Sequence, residues 1–389
     1  MRKAIIILFS LLVLSFSFGQ ELRIGVLREL KTSLLTIEKY QGNYTVYGDS
    51  SFKQSMETAK IELHSDGVKL HLPNGEHRIF SKITIVEDST NSAVKLKSLR
   101  PASKTHYYND NFEISNQGNR LRILNLVSME NYLSGVVESE GGGGRDQEYY
   151  KVQALISRTY AHKNSDRHRK ENFQLCDGVH CQAYHNMLRH TQSIKNAVKQ
   201  TANEVLVNAK GDLVTTYFSA NCGGQTCDPS YVWNNSVPYL ETFIDTFCTN
   251  TRQASWTRSI DKSEWKRFIE KEYGVYESEI GAPFYNFEQT QRRAFYIHPS
   301  LGIPLRDLRT KFRLKSTFFS THLEGDKLIV EGSGFGHGVG LCQEGAMNMA
   351  GDGFNYRQIA HFYFSNVRIT EHYGDQFSSK QESFTNDRN

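Results

Sequence analysis

The chain has 389 residues, 38% hydrophobic and 12% aromatic, enough for one large domain or two ordinary ones with real cores. Its formal net charge is only +4, with 46 Lys and Arg against 42 Asp and Glu. That balance excludes a basic stripe of the kind that grips nucleic acid, so no nucleic-acid partner is expected.

Arg2 and Lys3 precede an apolar run from Ala4 to Phe18, and small and polar residues follow through Gln20. A run of about 15 residues is short of the roughly 20 that a membrane-spanning helix needs. It fits a secretory signal peptide over residues 1–20, with no Cys directly after it to carry a lipid. The expectation is an exported protein, in the periplasm or at the cell surface.

Residues 21–110 read as a β-rich N-terminal region. Arg23–Leu27, Thr45–Tyr47, Ile61–Leu63, Val68–Leu72 and Ile83–Ile85 carry strand-forming residues, separated by turn formers such as Asp66-Gly67 and Pro73-Asn-Gly75. Strand character continues through Leu121–Val127 and, as a further apolar strand, through Leu133–Val137. Helical periodicity then appears over Glu148–Asn164, Ser193–Val205 and Ser263–Glu270. Leu213–Phe218 and the pair Phe312–Leu323 and Lys327–Val330 read as strands, and Gln343–Ala350 and Tyr356–Phe364 as helices. Residues 373–389 are polar and predicted to be disordered. The expected class is α+β, with the β-rich region followed by a mixed α/β core over residues 111–372.

Three clusters carry chemistry. Glu138 and Glu140 end an apolar segment just before Gly141–Gly144, where partial desolvation raises a carboxyl pKa toward that of a general acid. Strand alternation would put both on one face. Cys176-Asp-Gly-Val-His180-Cys181 sets two thiols and an imidazole within six residues. Soft sulfur and nitrogen ligands select zinc, and His168 completes a tetrahedral set better than His162 or His185. The rival is a Cys176–Cys181 disulfide, and the intervening His favours the metal. Gly332-Ser-Gly-Phe-Gly-His-Gly-Val-Gly-Leu-Cys-Gln-Glu-Gly-Ala346 packs six glycines around His337 and Gln343. Such a loop brings backbone and one imidazole close to a ligand. Cys222 precedes Gly223-Gly224; a disulfide of Cys222 or Cys227 with Cys248 is favoured over a nucleophile paired with His337, and Cys342 reads as a free thiol.

Several blocks together resemble the SpoIID/LytB domain family, the stage II sporulation protein D lytic transglycosylases and amidase enhancers. They are Asn131–Glu140, Tyr150–Tyr160, His180–Tyr184, Thr201–Leu206 through Cys222–Gly224, Val232-Trp233, Pro238–Leu240, and Gly334–Gln343. The matches span roughly residues 120–370 in order. Phe335 stands where Trp is common, Glu344 where Tyr is usual, and Gly141–Gly144 where an apolar step often follows.

The resemblance implies an exported lytic transglycosylase that cuts the β-1,4 bond from N-acetylmuramic acid to N-acetylglucosamine in peptidoglycan glycan strands stripped of stem peptides. Glu140 falls at the family's acid. His337, Gln343, Arg158, Gln182, Tyr184 and Ser219 are the expected substrate contacts, and Cys176, His180, Cys181 and His168 the expected zinc ligands. The family also implies a rival role as a non-catalytic glycan binder or amidase enhancer, with a cell-wall amidase or another envelope-remodelling protein as partner.

Overall fold

The computed structural model describes residues 21–49, 51–90, 92–185 and 191–371, with only the backbone at Thr191. The expected signal peptide and polar tail lie outside the described residues. Twelve strands come first: β1 (Glu21–Gly25), β2 (Leu34–Gln41), β3 (Tyr44–Tyr47), β4 (Lys53–Met56), β5 (Thr58–His64), β6 (Gly67–His71), β7 (His77–Phe80), β8 (Lys82–Glu87), β9 (Ala93–Arg100), β10 (His106–Asn109), β11 (Asn111–Asn116) and β12 (Leu121–Ser128). Helices α1 (Met129–Gly141) and α2 (Gln147–Lys163) follow, then β13 (Leu175–Cys176), α3 (Thr191–Gln200), β14 (Val205–Val207), β15 (Phe218–Ser219) and α4 (Ser230–Trp233). The rest is β16 (Ser255–Asp261), α5 (Lys262–Tyr273), α6 (Glu277–Ile280), α7 (Leu305–Phe312), β17 (Phe319–Glu324), β18 (Lys327–Ser333), β19 (Leu341–Cys342), α8 (Gln343–Gly351), α9 (Tyr356–Tyr363) and β20 (Arg368–Thr370).

The class is α+β, with the strands concentrated at the N-terminal side, as expected. A seven-stranded sheet runs β13-β1-β12-β11-β8-β3-β4 and a six-stranded sheet runs β10-β9-β2-β5-β6-β7. Alternating inward residues of both sheets, Leu35, Ile37 and Ile61 of one and Ile83, Ile114 and Ile123 of the other, enter one core with the apolar faces of α1 and α2. The expected division near residue 110 therefore falls inside a sheet, because β11 and β12 pair with β8 and β1. A separate core gathers residues between Trp256 and Val330, around the buried Trp265.

Three expected strands differ. Leu133–Val137 is the middle of helix α1. Ser128 caps it, its side chain accepting from Asn131 N at 3.3 Å. Met129, Tyr132, Leu133, Val136 and Val137 are all buried, at the i, i+3, i+4, i+7, i+8 spacing of a helix face. Over Leu213–Phe218 only the Leu213 bridge to Val207 and the start of β15 are paired, and Phe312 ends α7, so the following strand begins at Phe319.

Candidate active site and metal centre

Helix α1 delivers Glu140 in its last turn. The glycines after it form the helix C-cap: Gly142 has φ 68° and its N–H bonds Glu138 O at 2.9 Å. At about 100° per residue, Glu138 and Glu140 face nearly opposite ways, so the shared face expected from a strand is lost. Glu140 borders a cavity of about 530 Å³ lined also by Tyr160, Arg167, Val179, His180, Cys181, Thr216, Tyr217, Phe218, Trp233 and His337. It is the one carboxylate among those lining residues. Burial raises its pKa above the ordinary carboxylate value, partly offset by the hydrogen bond that Ala183 N–H donates to Oε1 at 2.8 Å.

The glycine loop enters the same cavity through His337. Gly334, Gly336, Gly338 and Gly340 all have positive φ. At Gly340 (φ 72°) a Cβ would come within 2.2 Å of Tyr217 O, so only glycine lets the loop lie against that strand. His337 Nδ1 accepts from Val339 N at 3.0 Å, and a second hydrogen bond runs to the Phe218 backbone. Burial, aided by the Arg309 and Arg292 charges, pushes its pKa down to about 3, so the ring is neutral at physiological pH. Gln343 is buried beneath, its Nε2 3.5 Å from Glu140 O and 3.4 Å from Gln153 Oε1. Glu344, in place of the usual Tyr, accepts from Asn221 Nδ2 at 2.8 Å and from Gln253 Nε2 at 3.1 Å, anchoring the start of α8.

Like Gln343, the four other expected substrate contacts do not line the cavity. Arg158 is buried, its guanidinium donating to Thr201 O at 2.6 Å, Val198 O at 3.1 Å and Glu204 O at 3.3 Å, so it caps the end of α3. Gln182 Nε2 donates to Tyr132 Oη at 3.3 Å and Ser157 O at 3.2 Å. The Tyr184 hydroxyl donates to Asn125 Oδ1 at 2.8 Å, and Ser219 Oγ accepts from Gly338 N at 3.2 Å. These residues hold the walls in place.

Residues missed at the sequence level take the surface instead. Tyr217 stacks on Trp233 with ring centroids 4.1 Å apart, yet the Trp233 side stays 41% exposed. Arg167 is exposed, lines the cavity and donates to Tyr160 Oη at 2.9 Å. Trp233, the last residue of the short helix α4 and one of three Trp in the chain, was the available signal.

At one edge of the cavity the donor atoms of His168, Cys176, His180 and Cys181 lie within 4.8 Å of one another. Cys181 Sγ is 3.5 Å from His168 Nε2, and His180 Nδ1 is 3.7 Å from both sulfurs. A hydrogen bond with Cys181 holds the Cys176 thiol well below its usual range. The other His168 nitrogen, Nδ1, is 2.8 Å from Glu171 Oε1, and Arg28 fixes that carboxylate with two bonds of 3.0 Å. A carboxylate orienting the far side of a ligating imidazole is the usual outer arrangement of a zinc site. Two thiols, two imidazoles and this support fit zinc.

A family model described as "Stage II sporulation protein" matches residues 117–208, from the turn after β11 to the residue after β14. An uncharacterized protein of Brachyspira hyodysenteriae is 31% identical over 258 residues, 64% of this chain and 68% of its own. A stage II sporulation protein D of Bacillus amyloliquefaciens is 26% identical over 269 residues, 65% of this chain and 77% of its own. An amidase enhancer of Bacillus subtilis is 26% identical over 295 residues, 62% of this chain but only 40% of its own. The chain belongs to the SpoIID family.

Proposed function

We propose that the protein remodels the cell wall as an exported lytic transglycosylase acting on denuded glycan strands, with Glu140 as its single acid and base. The observation that carries this reading is the lone, desolvated Glu140 carboxyl in a cavity whose other described lining residues include no carboxylate. Ordinary glycosidases need a second carboxylate, about 5–9.5 Å from the first. A transglycosylase needs one. Glu140, protonated, gives its proton to the glycosidic oxygen as the bond to muramic C1 breaks. The resulting carboxylate takes the proton of the C6 hydroxyl as that oxygen attacks C1. A 1,6-anhydro end forms and Glu140 is protonated again, so no water is consumed.

The other cavity residues have roles that suit a sugar polymer. Trp233 offers a ring face to the apolar side of a pyranose. Arg167 can pair with the lactyl carboxylate that removal of the stem peptide leaves free on muramic acid. Ala183 N–H orients the Glu140 carboxylate, and neutral His337 and Gln343 fix the loop and helix end beside it. We further propose that His168, Cys176, His180 and Cys181 hold zinc. A closed four-ligand site supplies cross-linking; here it would stiffen the segment Cys176–Tyr184, which carries the Ala183 N–H. Export through residues 1–20 would bring the protein to its polymer.

The test is incubation of the purified protein with denuded strands, alone and with a cell-wall amidase on whole peptidoglycan. Release of short glycans by the protein alone supports the proposal. No release alone, with faster amidase action when both are present, would replace it by an enhancer role.

A further inference from the structure

We propose that Cys222, Cys248, Cys342 and Asp245 form a second metal site, structural in role and suited to zinc, in the core behind the glycine loop. Their donor atoms lie within 4.8 Å of one another and all four residues are 0% exposed. Cys222 Sγ is 3.4 Å from Cys248 Sγ and 3.2 Å from Asp245 Oδ2. A tetrahedral ion with Zn–S of about 2.3 Å and Zn–O of about 2.0–2.2 Å sets its donors roughly 3.5–3.8 Å apart. Those two contacts are within a few tenths of an ångström of that spacing, and the remaining donors lie inside 4.8 Å.

Three features favour an ion over the disulfide expected from sequence. A Cys222–Cys248 bond uses two sulfurs and leaves a third, Cys342, with a carboxylate packed against it. Cys227, the other expected partner of Cys248, stands outside the group. Asp245 forms no ion pair with Lys or Arg among the described residues, and a buried carboxylate without a cation is costly. Its two oxygens are nevertheless aimed. The Tyr363 hydroxyl donates to Oδ2 at 3.0 Å and Phe247 N–H to Oδ1 at 3.0 Å, as outer partners orient a metal-binding carboxylate.

The donors come from three places that an ion would tie together. Cys222 follows β15, Cys342 ends β19 beside it, and Asp245-Thr-Phe-Cys248 supplies two donors three residues apart. The whole second core, Trp256 to Val330, lies between Cys248 and Cys342. An ion here closes the base of that lobe and fixes β19, whose next residue is Gln343. The site is distinct from the His168 cluster, and the inference stands whether or not the protein cleaves glycan.

The test counts metal in the full chain purified without added zinc. Wild type is expected to carry about two zinc ions per chain, and Cys176→Ser with His180→Ala about one. X-ray absorption at the zinc edge of that double variant is expected to show a shell of mostly sulfur with one lighter atom. Cys248→Ser with Cys342→Ser is expected to lose one ion and keep the other. Should the last variant not fold, the wild-type count and the absorption spectrum still decide. A mapped Cys222–Cys248 disulfide, or a double variant at the His168 site that holds no zinc, overturns the proposal. A zinc-free His168 site beside an occupied cysteine cluster would instead refute the earlier assignment alone.

Discussion

Glu140→Gln removes one proton and almost nothing else. The Gln side chain can still accept from Ala183 N–H, now 2.8 Å from Oε1, and it fills the same volume. What it cannot do is protonate a leaving oxygen. General acid–base catalysis contributes about 10²–10⁴ in rate, roughly 2.7–5.4 kcal/mol of barrier at 1.36 kcal/mol per tenfold. The substitution should therefore lower kcat by that factor with KM nearly unchanged. Stability should move the other way. Burial raises the Glu140 pKa from 4.5, so the folded state holds the proton more tightly than the unfolded one. Wild type thus loses stability as pH rises from about 4.5 through the raised folded value, and Gln does not. The variant should melt at or above wild type at pH 7.5 and converge with it below pH 4. The same raised pKa puts a falling limb on the wild-type kcat/KM profile above the ordinary carboxylate value, with no limb near pH 6.5 from His337. The assay is initial release of glycan ends from denuded strands, with thermal melts across pH. A Gln variant within threefold of wild-type kcat, or one that melts well below it at pH 7.5, would refute the reasoning.

Trp233→Ala, which removes the exposed ring stacked on Tyr217, is expected to raise KM for glycan about tenfold, near 1.4 kcal/mol, without a change in Tm. An unchanged KM would take the sugar off that face. Gly340→Ala sets a Cβ 2.2 Å from Tyr217 O at φ 72°, and strain plus overpacking should cost about 2–5 kcal/mol in denaturant melts. A loss under 1 kcal/mol would contradict the described loop. Arg158→Met should lower stability by roughly 2–4 kcal/mol through the carbonyls left unpaired at the end of α3, while the folded fraction keeps wild-type KM. A raised KM with full stability would restore Arg158 as a substrate contact.

Helices α2, α3, α5, α8 and α9 were legible because their apolar residues recur at helical spacing, and the early strands because turn formers bound them; the shorter α4, α6 and α7 were not read. Helix α1 was not, because Leu133-Ser-Gly-Val-Val137 is too short a stretch for its periodicity to separate a strand from a buried helix. The decisive signal was Ser128, a cap residue three before Asn131. At the site, spacing brought out the Cys176–Cys181 cluster and the glycine loop, because thiols and imidazoles close in sequence and glycine-rich tight turns form local patterns. Arg158, Gln182, Tyr184 and Ser219 misled because a polar residue in a strong motif can serve packing as well as ligand. Gln182 and Tyr184 sit in the segment that holds Glu140, and their hydrogen bonds point inward. The cluster of Cys222, Asp245, Cys248 and Cys342 joins residues up to 120 positions apart, and no local spacing announces it.

Mass spectrometry of the ends that the purified protein makes on denuded glycan strands, with the reaction run in ¹⁸O-labelled water, tests the central claim most directly. Glu140 acting alone, with the muramic C6 oxygen as nucleophile, predicts 1,6-anhydro-muramic ends that carry no label. Reducing ends that carry ¹⁸O would mean hydrolysis and contradict the account, and intact strands would equally contradict it by showing that the protein does not cut glycan.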